Sequence, residues 1–185
     1  MLRCALALLL AGLATWAGAD ERISICYGYG CLVQADIPYS DGQLGDVRRS
    51  LFAASDAAGE RAALAAVIGR MYGWAGEMSD IRNDRGGNYA DAGVAGRMDC
   101  IDHSTSTDRL LRLLERRGYL RWHRVAAIEV RYFAHLFASH YSAVIEETDD
   151  DEAKRFVVDS WFVDNGQPAV ILPLDEWKKG AGPDV

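Results

Sequence analysis

The apolar period of this chain changes at Gly118. Before that glycine, apolar side chains recur at spacings of three and four residues, as on helices; after it they crowd into runs rich in Val, Ile, Phe, Trp and Tyr, as in strands. Helices followed by antiparallel strands predict an α+β fold, with N-terminal helices and a central cysteine-bearing helix packed on an antiparallel sheet. The 185 residues, 50% of them hydrophobic, suffice for one core. With 27 acidic against 20 basic side chains and a net charge of -7, a general phosphate-backbone binder is excluded, so no nucleic-acid partner is expected.

Ile23-Ser24-Ile25 alternates like a short strand. Ser40 or Asp41 then caps a helix with Leu44, Val47, Leu51 and Phe52 on one side. Asp56 caps a second, whose stripe of Leu64, Val67, Ile68, Met71, Tyr72 and Trp74 runs through about Gly76 and reads as core. No period is visible over residues 79–98, where Gly86, Gly87, Gly93 and Gly96 are interleaved with Arg82, Asp84, Arg85, Asn88 and Asp91. So long a loop is a functional candidate. The clearest helix covers 100–117, with Leu110, Leu111, Leu113 and Leu114 inward and Gly118 as a left-handed cap. Strands are expected over 122–132, 139–146 and 155–163, with an acidic turn at 147–152 between the last two. Asn165-Gly166 marks a turn, followed by a short strand over 169–172, a turn around Trp177 and a flexible tail over 179–185.

Residues 1–19 read as a signal peptide: Arg3 precedes an apolar run from Ala5 to Leu13, and Ala17-Gly18-Ala19 supplies small residues for cleavage before Asp20. The run falls short of the roughly 20 residues of a membrane span. A single domain over 20–178 is therefore expected, periplasmic or secreted, with no stable membrane span. Cleavage leaves Cys26, Cys31 and Cys100 in an oxidising compartment. Cys26 and Cys31 flank the turn Tyr27-Gly28-Tyr29-Gly30 and are expected to form a disulfide. The rival reading, half of a metal site, lacks a second Cys or His pair at finger spacing. Cys100 is then the free thiol.

A cysteine opening a helix sits where aligned peptide dipoles favour the thiolate. Attack on an acyl carbon also needs an imidazole, and a group that orients it. The histidines are His103, His123, His135 and His140. His103 shares a helix face with Cys100, but local spacing alone makes no catalytic pair. Closing the acidic turn with Glu147 opposite Glu152 sets His140 directly across from Asp159, with Cβ atoms roughly 5 Å apart. Asp159 lies among apolar neighbours, and a carboxylate is costly to bury unpaired, so His140 is its expected partner. The N–H of Cys100, with Asn88 or Tyr89 from the glycine-rich loop, are oxyanion candidates. Asp99, Asp102 and His103 either shape the site or serve the first helical turn. No cofactor or metal is expected; a rival reading has Cys100 and His103, with another His or Asp, ligating zinc.

The Cys, His, Asp order is carried by Met98-Asp99-Cys100-Ile101-Asp102-His103, His140-Tyr141-Ser142-Ala143-Val144-Ile145 and Phe156-Val157-Val158-Asp159-Ser160-Trp161. It resembles the transglutaminase-like branch of the papain-like cysteine enzymes, over about residues 99–162. The chain is also similar to uncharacterised exported bacterial proteins sharing the stretches Arg-Gly-Gly-Asn-Tyr-Ala-Asp and Asp-Cys-Ile-Asp-His-Ser, a likeness that brings no substrate with it. The resemblance implies acyl transfer, by hydrolysis or to an acceptor, from a peptide or amide-bearing substrate such as cell-envelope material. It implies Cys100 as nucleophile, His140 as general base and then acid, and Asp159 as orienter. Ile101 departs from the aromatic that better-known members carry after the nucleophile. The alternative expectation is a catalytically silent binding or assembly module of the cell envelope on the same fold.

Overall fold

The computed structural model describes residues 20–133, 138–148 and 154–184. The expected leader, His135 and most of the acidic turn lie outside the described residues. The described chain opens with an antiparallel hairpin of β1 (Glu21–Tyr27) and β2 (Val33–Tyr39). Ser40 then starts α1 (Asp41–Phe52) through a reciprocal capping box with Gln43. Asp56 starts α2 (Ala57–Met78) by accepting from the Gly59 N–H at 2.7 Å. A 3-10 turn at Asp80–Asn83 leads into the glycine-rich loop, and Asp99 caps α3 (Cys100–Arg116). α3 closes with Tyr119 N to Leu114 O at 2.9 Å and Gly118 N to Glu115 O at 2.8 Å, the bond pair of a left-handed helix cap.

Beyond it come β3 (His123–Val125), β4 (Glu129–Phe133), β5 (Ala138–Glu147), β6 (Arg155–Asp159), β7 (Val170–Pro173) and the short α4 (Leu174–Lys178). These strands form one antiparallel sheet in the order β3-β5-β6-β7, with β4 also paired to β5. The architecture is α+β. Ala143, Ile145 and Val158 on one sheet face join the main core, with Ile25 and Ile37 of the hairpin, Leu44 and Val47 of α1, Leu64 and Ile68 of α2, and Leu110 and Leu114 of α3. Val144 and Val157 on the other face pack on Leu174 and Trp177 of α4. Burying each such large side chain stabilises the fold by roughly 1.5–3 kcal/mol, so both faces hold the sheet in place.

Several boundaries depart from expectation. β2 is obscured in the sequence by Asp36 and Pro38, and a proline is tolerated there because the strand has a partner on one side only. The expected strand over 122–132 is split: residues 126–128 oppose only Ala143 and Val144 of β5, and this one-residue bulge separates β3 from β4. The expected strand over 155–163 stops at Asp159, where the chain turns with Val163 N bonded to Ser160 O at 3.4 Å. The register also moves by two. Glu147 N bonds Lys154 O at 2.9 Å, and Ala143 pairs with Val158, so Ser142 rather than His140 stands across from Asp159. Glu147 on Glu152 would oppose two like charges directly, whereas the observed register sets Glu147 beside Lys154, of opposite charge. A two-residue slip leaves every side chain on its face.

Past α4 the chain stays against the domain as far as Ala181, whose carbonyl accepts from Arg131 Nη1 at 2.7 Å. Among the described residues no helix is long and apolar enough to cross a membrane.

Candidate active site

Antiparallel strands direct the N–H and C=O of one residue to the same edge. On β5, Ser139 and Tyr141 face the edge that β6 covers only from Ala143 onward. Cys100, at the first turn of α3, fills that vacated edge: Sγ lies 3.9 Å from Ser139 O, and the Tyr141 N–H is directed at the sulfur. These two contacts flank His140. Cys100 is the free cysteine among the described residues and is part-exposed, whereas Cys26 and Cys31 form the expected disulfide.

His140 and Asp159 are brought together. His140 Nε2 lies 2.7 Å from Asp159 Oδ2, and both side chains are almost fully buried. They meet diagonally on the α4 face rather than directly across the ladder. Asp159 is anchored further by Trp177 Nε1, donating to Oδ2 at 3.0 Å, and by the Trp161 N–H, donating to Oδ1 at 3.2 Å. Trp161, Phe162 and Trp177 wrap the imidazole, with ring centroids 4.8, 5.5 and 5.7 Å away. Since Nε2 is committed to Asp159, Nδ1 is the ring atom left to address a nucleophile. Among the described residues no hydrogen bond joins the Cys100 sulfur to the His140 ring; the thiol is turned to Ser139.

Burial pushes the Cys100 thiol above its ordinary value, and the negative charges of Asp99 and Asp159 add to the shift. The N–H groups of Tyr141 and of Cys100 itself pull the other way and are outweighed. The shift is upward, against the lowering expected of a helix start. Burial foremost, and then the two carboxylates, oppose what the helix terminus offers.

Of the oxyanion candidates, Asn88 uses its side chain within its own loop, donating to Asp91 at 2.9 Å and accepting from Ala90 N at 3.0 Å. Tyr89 projects over the site: its ring is 4.7 Å from that of Trp161 and 71% exposed. Its hydroxyl is pushed up by burial and by the charges of Cys100 and Asp159, against the pull of Arg131. The loop is pressed onto the strand end by Gly86, where a Cβ would come within 2.4 Å of Phe162 O, and by the Gly87 N–H, which bonds Trp161 O at 2.8 Å.

Sequence reasoning missed a buried chain beside this site. His103 Nε2 lies 3.0 Å from Asp84 Oδ2, and Nδ1 lies 2.8 Å from Ser160 Oγ. Ser160 continues to Thr107 at 3.0 Å, and Thr107 to the Tyr72 hydroxyl at 3.0 Å. The adjoining cavity is about 10 Å³, room for about one water. The chain ties α2, α3 and the glycine-rich loop to the residue after Asp159. No sequence spacing pairs residue 84 with 103 and 160.

Asp99 and Asp102 do more than cap α3. Residues 28–31 all have positive φ, Tyr29 at 68° and Cys31 at 59° among them, so that successive N–H groups converge. Tyr29 N and Cys31 N donate to the two oxygens of Asp102 at 2.8 and 2.6 Å, and Gly30 N donates to Asp99 Oδ2 at 2.9 Å. Burial and the Asp99 charge raise the Asp102 carboxyl, while the N–H groups of Asp99, Cys31 and Tyr29 hold the rise back. Left-handed backbone costs an ordinary residue roughly 1–2 kcal/mol. Closing a loop this small with a disulfide contributes about 2 kcal/mol in the chain-entropy account, a comparable amount.

His123 lies elsewhere, buried with its Nδ1 2.8 Å from Glu60 Oε2. A hollow of about 590 Å³ beside α4 shares no lining residue with the site, and its charged walls pair among themselves through Glu129, Arg155 and Lys178. Among the described residues no group of three or more His, Cys, Asp or Glu is disposed to hold a metal ion. Comparison with protein-family models, with curated proteins and with solved structures gives no significant match for this chain.

Proposed function

We propose that the chain is a thiol-dependent acyl-transfer enzyme of the transglutaminase-like kind, acting on a peptide or amide-bearing substrate outside the cytoplasm. The observation that carries this reading is the His140–Asp159 bond on the strand against whose edge the Cys100 sulfur rests. The Cys26–Cys31 disulfide supports the oxidising location.

Rotation of the Cys100 side chain takes Sγ from Ser139 O towards His140 Nδ1. As sulfur bonds to the substrate carbonyl carbon, its proton passes to Nδ1, and the Asp159 carboxylate stabilises the imidazolium. Because the resting thiol is pushed up, the proton leaves together with the attack. The Cys100 N–H at the helix start is the natural donor to the developing oxyanion. Collapse breaks the C–N bond, and the amine takes the proton from His140. Water or an acceptor amine then releases the thioester.

Para-nitrophenyl acetate tests this chemistry without knowledge of the substrate. The expected result is a burst of para-nitrophenol with one acetyl group on Cys100, slowed roughly 100-fold or more by His140→Ala, the usual contribution of a general base. Acylation no faster than that of a free thiol, and indifferent to His140→Ala, defeats the reading. The sulfur's bond to Ser139 and its upward shift favour a second reading, a silent binding module, for which no burst occurs.

A further inference from the structure

We propose that the disulfide hairpin is the positioning device of Cys100, so that the acyl-transfer competence argued above, on which this inference rests, exists only while Cys26 and Cys31 are joined. The hairpin does not touch the sulfur. It grips what carries it: three successive N–H groups, of Tyr29, Gly30 and Cys31, end on the carboxylates of Asp102 and Asp99, the first-turn and capping residues of α3. The same two carboxylates accept from Ile101 N, Asp102 N and Asp99 N, so the helix start and the hairpin share one set of bonds. A second grip reaches the loop that bears Tyr89. The Tyr29 hydroxyl donates to Asp91 at 2.5 Å, and Gly28 N donates to Arg97 O at 2.8 Å. Asp102, Asp99 and Tyr29 are therefore positioning residues.

The three N–H groups converge only while Tyr29 and Cys31 remain left-handed, a conformation that neither side chain favours. The covalent link offsets that preference and removing it does not. Cys26 is sealed, but Cys31 is part-exposed and open to exchange. A dithiol reductant supplies two electrons and two protons: the Cys26–Cys31 bond becomes two thiols as the dithiol closes to its own disulfide. The treatment that protects an ordinary cysteine nucleophile thus silences this one.

The test follows amide exchange by mass spectrometry, and Cys100 acetylation by para-nitrophenyl acetate, on the full chain. Samples are oxidised, reduced and freed of reductant, or carry Cys26→Ser with Cys31→Ser. Loss of the link is expected to speed exchange at residues 29–31 and 101–103 about 30-fold, the factor the loop-closure entropy implies. Acetylation falls at least tenfold, its pH midpoint drops to that of an ordinary thiol, and reoxidation restores both while circular dichroism stays unchanged. In the oxidised protein Tyr29→Phe and Asp102→Asn reproduce part of the loss, which guards against a double variant that does not fold. Unchanged exchange after reduction overturns the inference whether or not Cys100 acylates, and so does faster exchange with an undiminished acetylation rate. An oxidised protein that never acetylates Cys100 defeats the enzymatic reading instead, and with it the catalytic meaning of the hairpin.

Discussion

Replacing Asp159 by Asn changes one atom and separates the two tasks of that side chain. Asp159 accepts three bonds: from His140 Nε2 at 2.7 Å and Trp177 Nε1 at 3.0 Å on Oδ2, and from Trp161 N at 3.2 Å on Oδ1. An asparagine has one acceptor oxygen. Placed at Oδ2 it keeps two donors and turns its NH2 onto the Trp161 N–H; flipped, it loses two. The first arrangement wins, leaving one buried donor unpaired at a cost of about 1–3 kcal/mol. For a domain of this size that lowers the melting temperature by roughly 2–12 °C. The second effect is on reactivity. The imidazolium formed during attack loses its counter-charge, and a charge-assisted bond is worth about 1.5–3 kcal/mol, or roughly 10- to 100-fold in rate. Thermal unfolding reads the first effect, and para-nitrophenyl acetate acylation of Cys100 the second. Trp177→Phe keeps an aromatic body and removes one donor, so the melting change is expected without most of the rate loss. An Asp159→Asn protein that melts and acylates like the unsubstituted one would refute the assigned bonds and the orienting role together.

Alkylation of Cys100 by iodoacetamide in the substrate-free protein should rise through a midpoint above the ordinary thiol value of about 8.5, because burial, Asp99 and Asp159 all disfavour the thiolate. Asp99→Asn, which retains a capping side chain, lowers that midpoint, and one below 8 in the unsubstituted protein contradicts the reasoning. Ser160→Ala removes a partner from both His103 and Thr107 and should cost about 1–3 kcal/mol in urea unfolding; a change under about 0.5 kcal/mol shows that the buried chain carries no stability. Burial alone would raise the Glu60 carboxyl, but bonds from His123, Arg121 N and Trp122 N bring it below its ordinary value of 4.5. Its contribution is therefore full above that value and is lost as pH falls through the lower folded one. Glu60→Gln should flatten the acid side of the stability curve; an unaltered acid limb in urea titrations contradicts this.

Local rules reached part of this molecule. The capping side chains at Ser40, Asp56 and Asp99, the left-handed stop at Gly118 and the Cys26–Cys31 pairing are decided within a few residues and are visible as such. The meeting of His140 with Asp159 was also legible, although through a register two residues off, because alternation fixes the face and the face mattered more than the rung. What stayed hidden depends on distant partners. Asp84, His103 and Ser160 come from a loop, a helix and a strand end. Trp177 reads only as the centre of a terminal turn until its N–H is seen on Asp159. The upward shift of the Cys100 thiol was hidden for the same reason: a helix terminus is a local feature, whereas burial, the main cause, and the Asp159 charge from 59 positions along the chain are not.

The early end of β6 sets how the molecule tolerates insertion. Val157 and Asp159 point to α4, and Val158 points to the helical core. One residue added within β6 would exchange these roles, driving a carboxylate among Ala143, Ile145 and the leucines of α3 and stranding His140 without its acceptor. Two residues added there would restore the facing while displacing the rung. Length variation at that strand is thus permitted in even steps only.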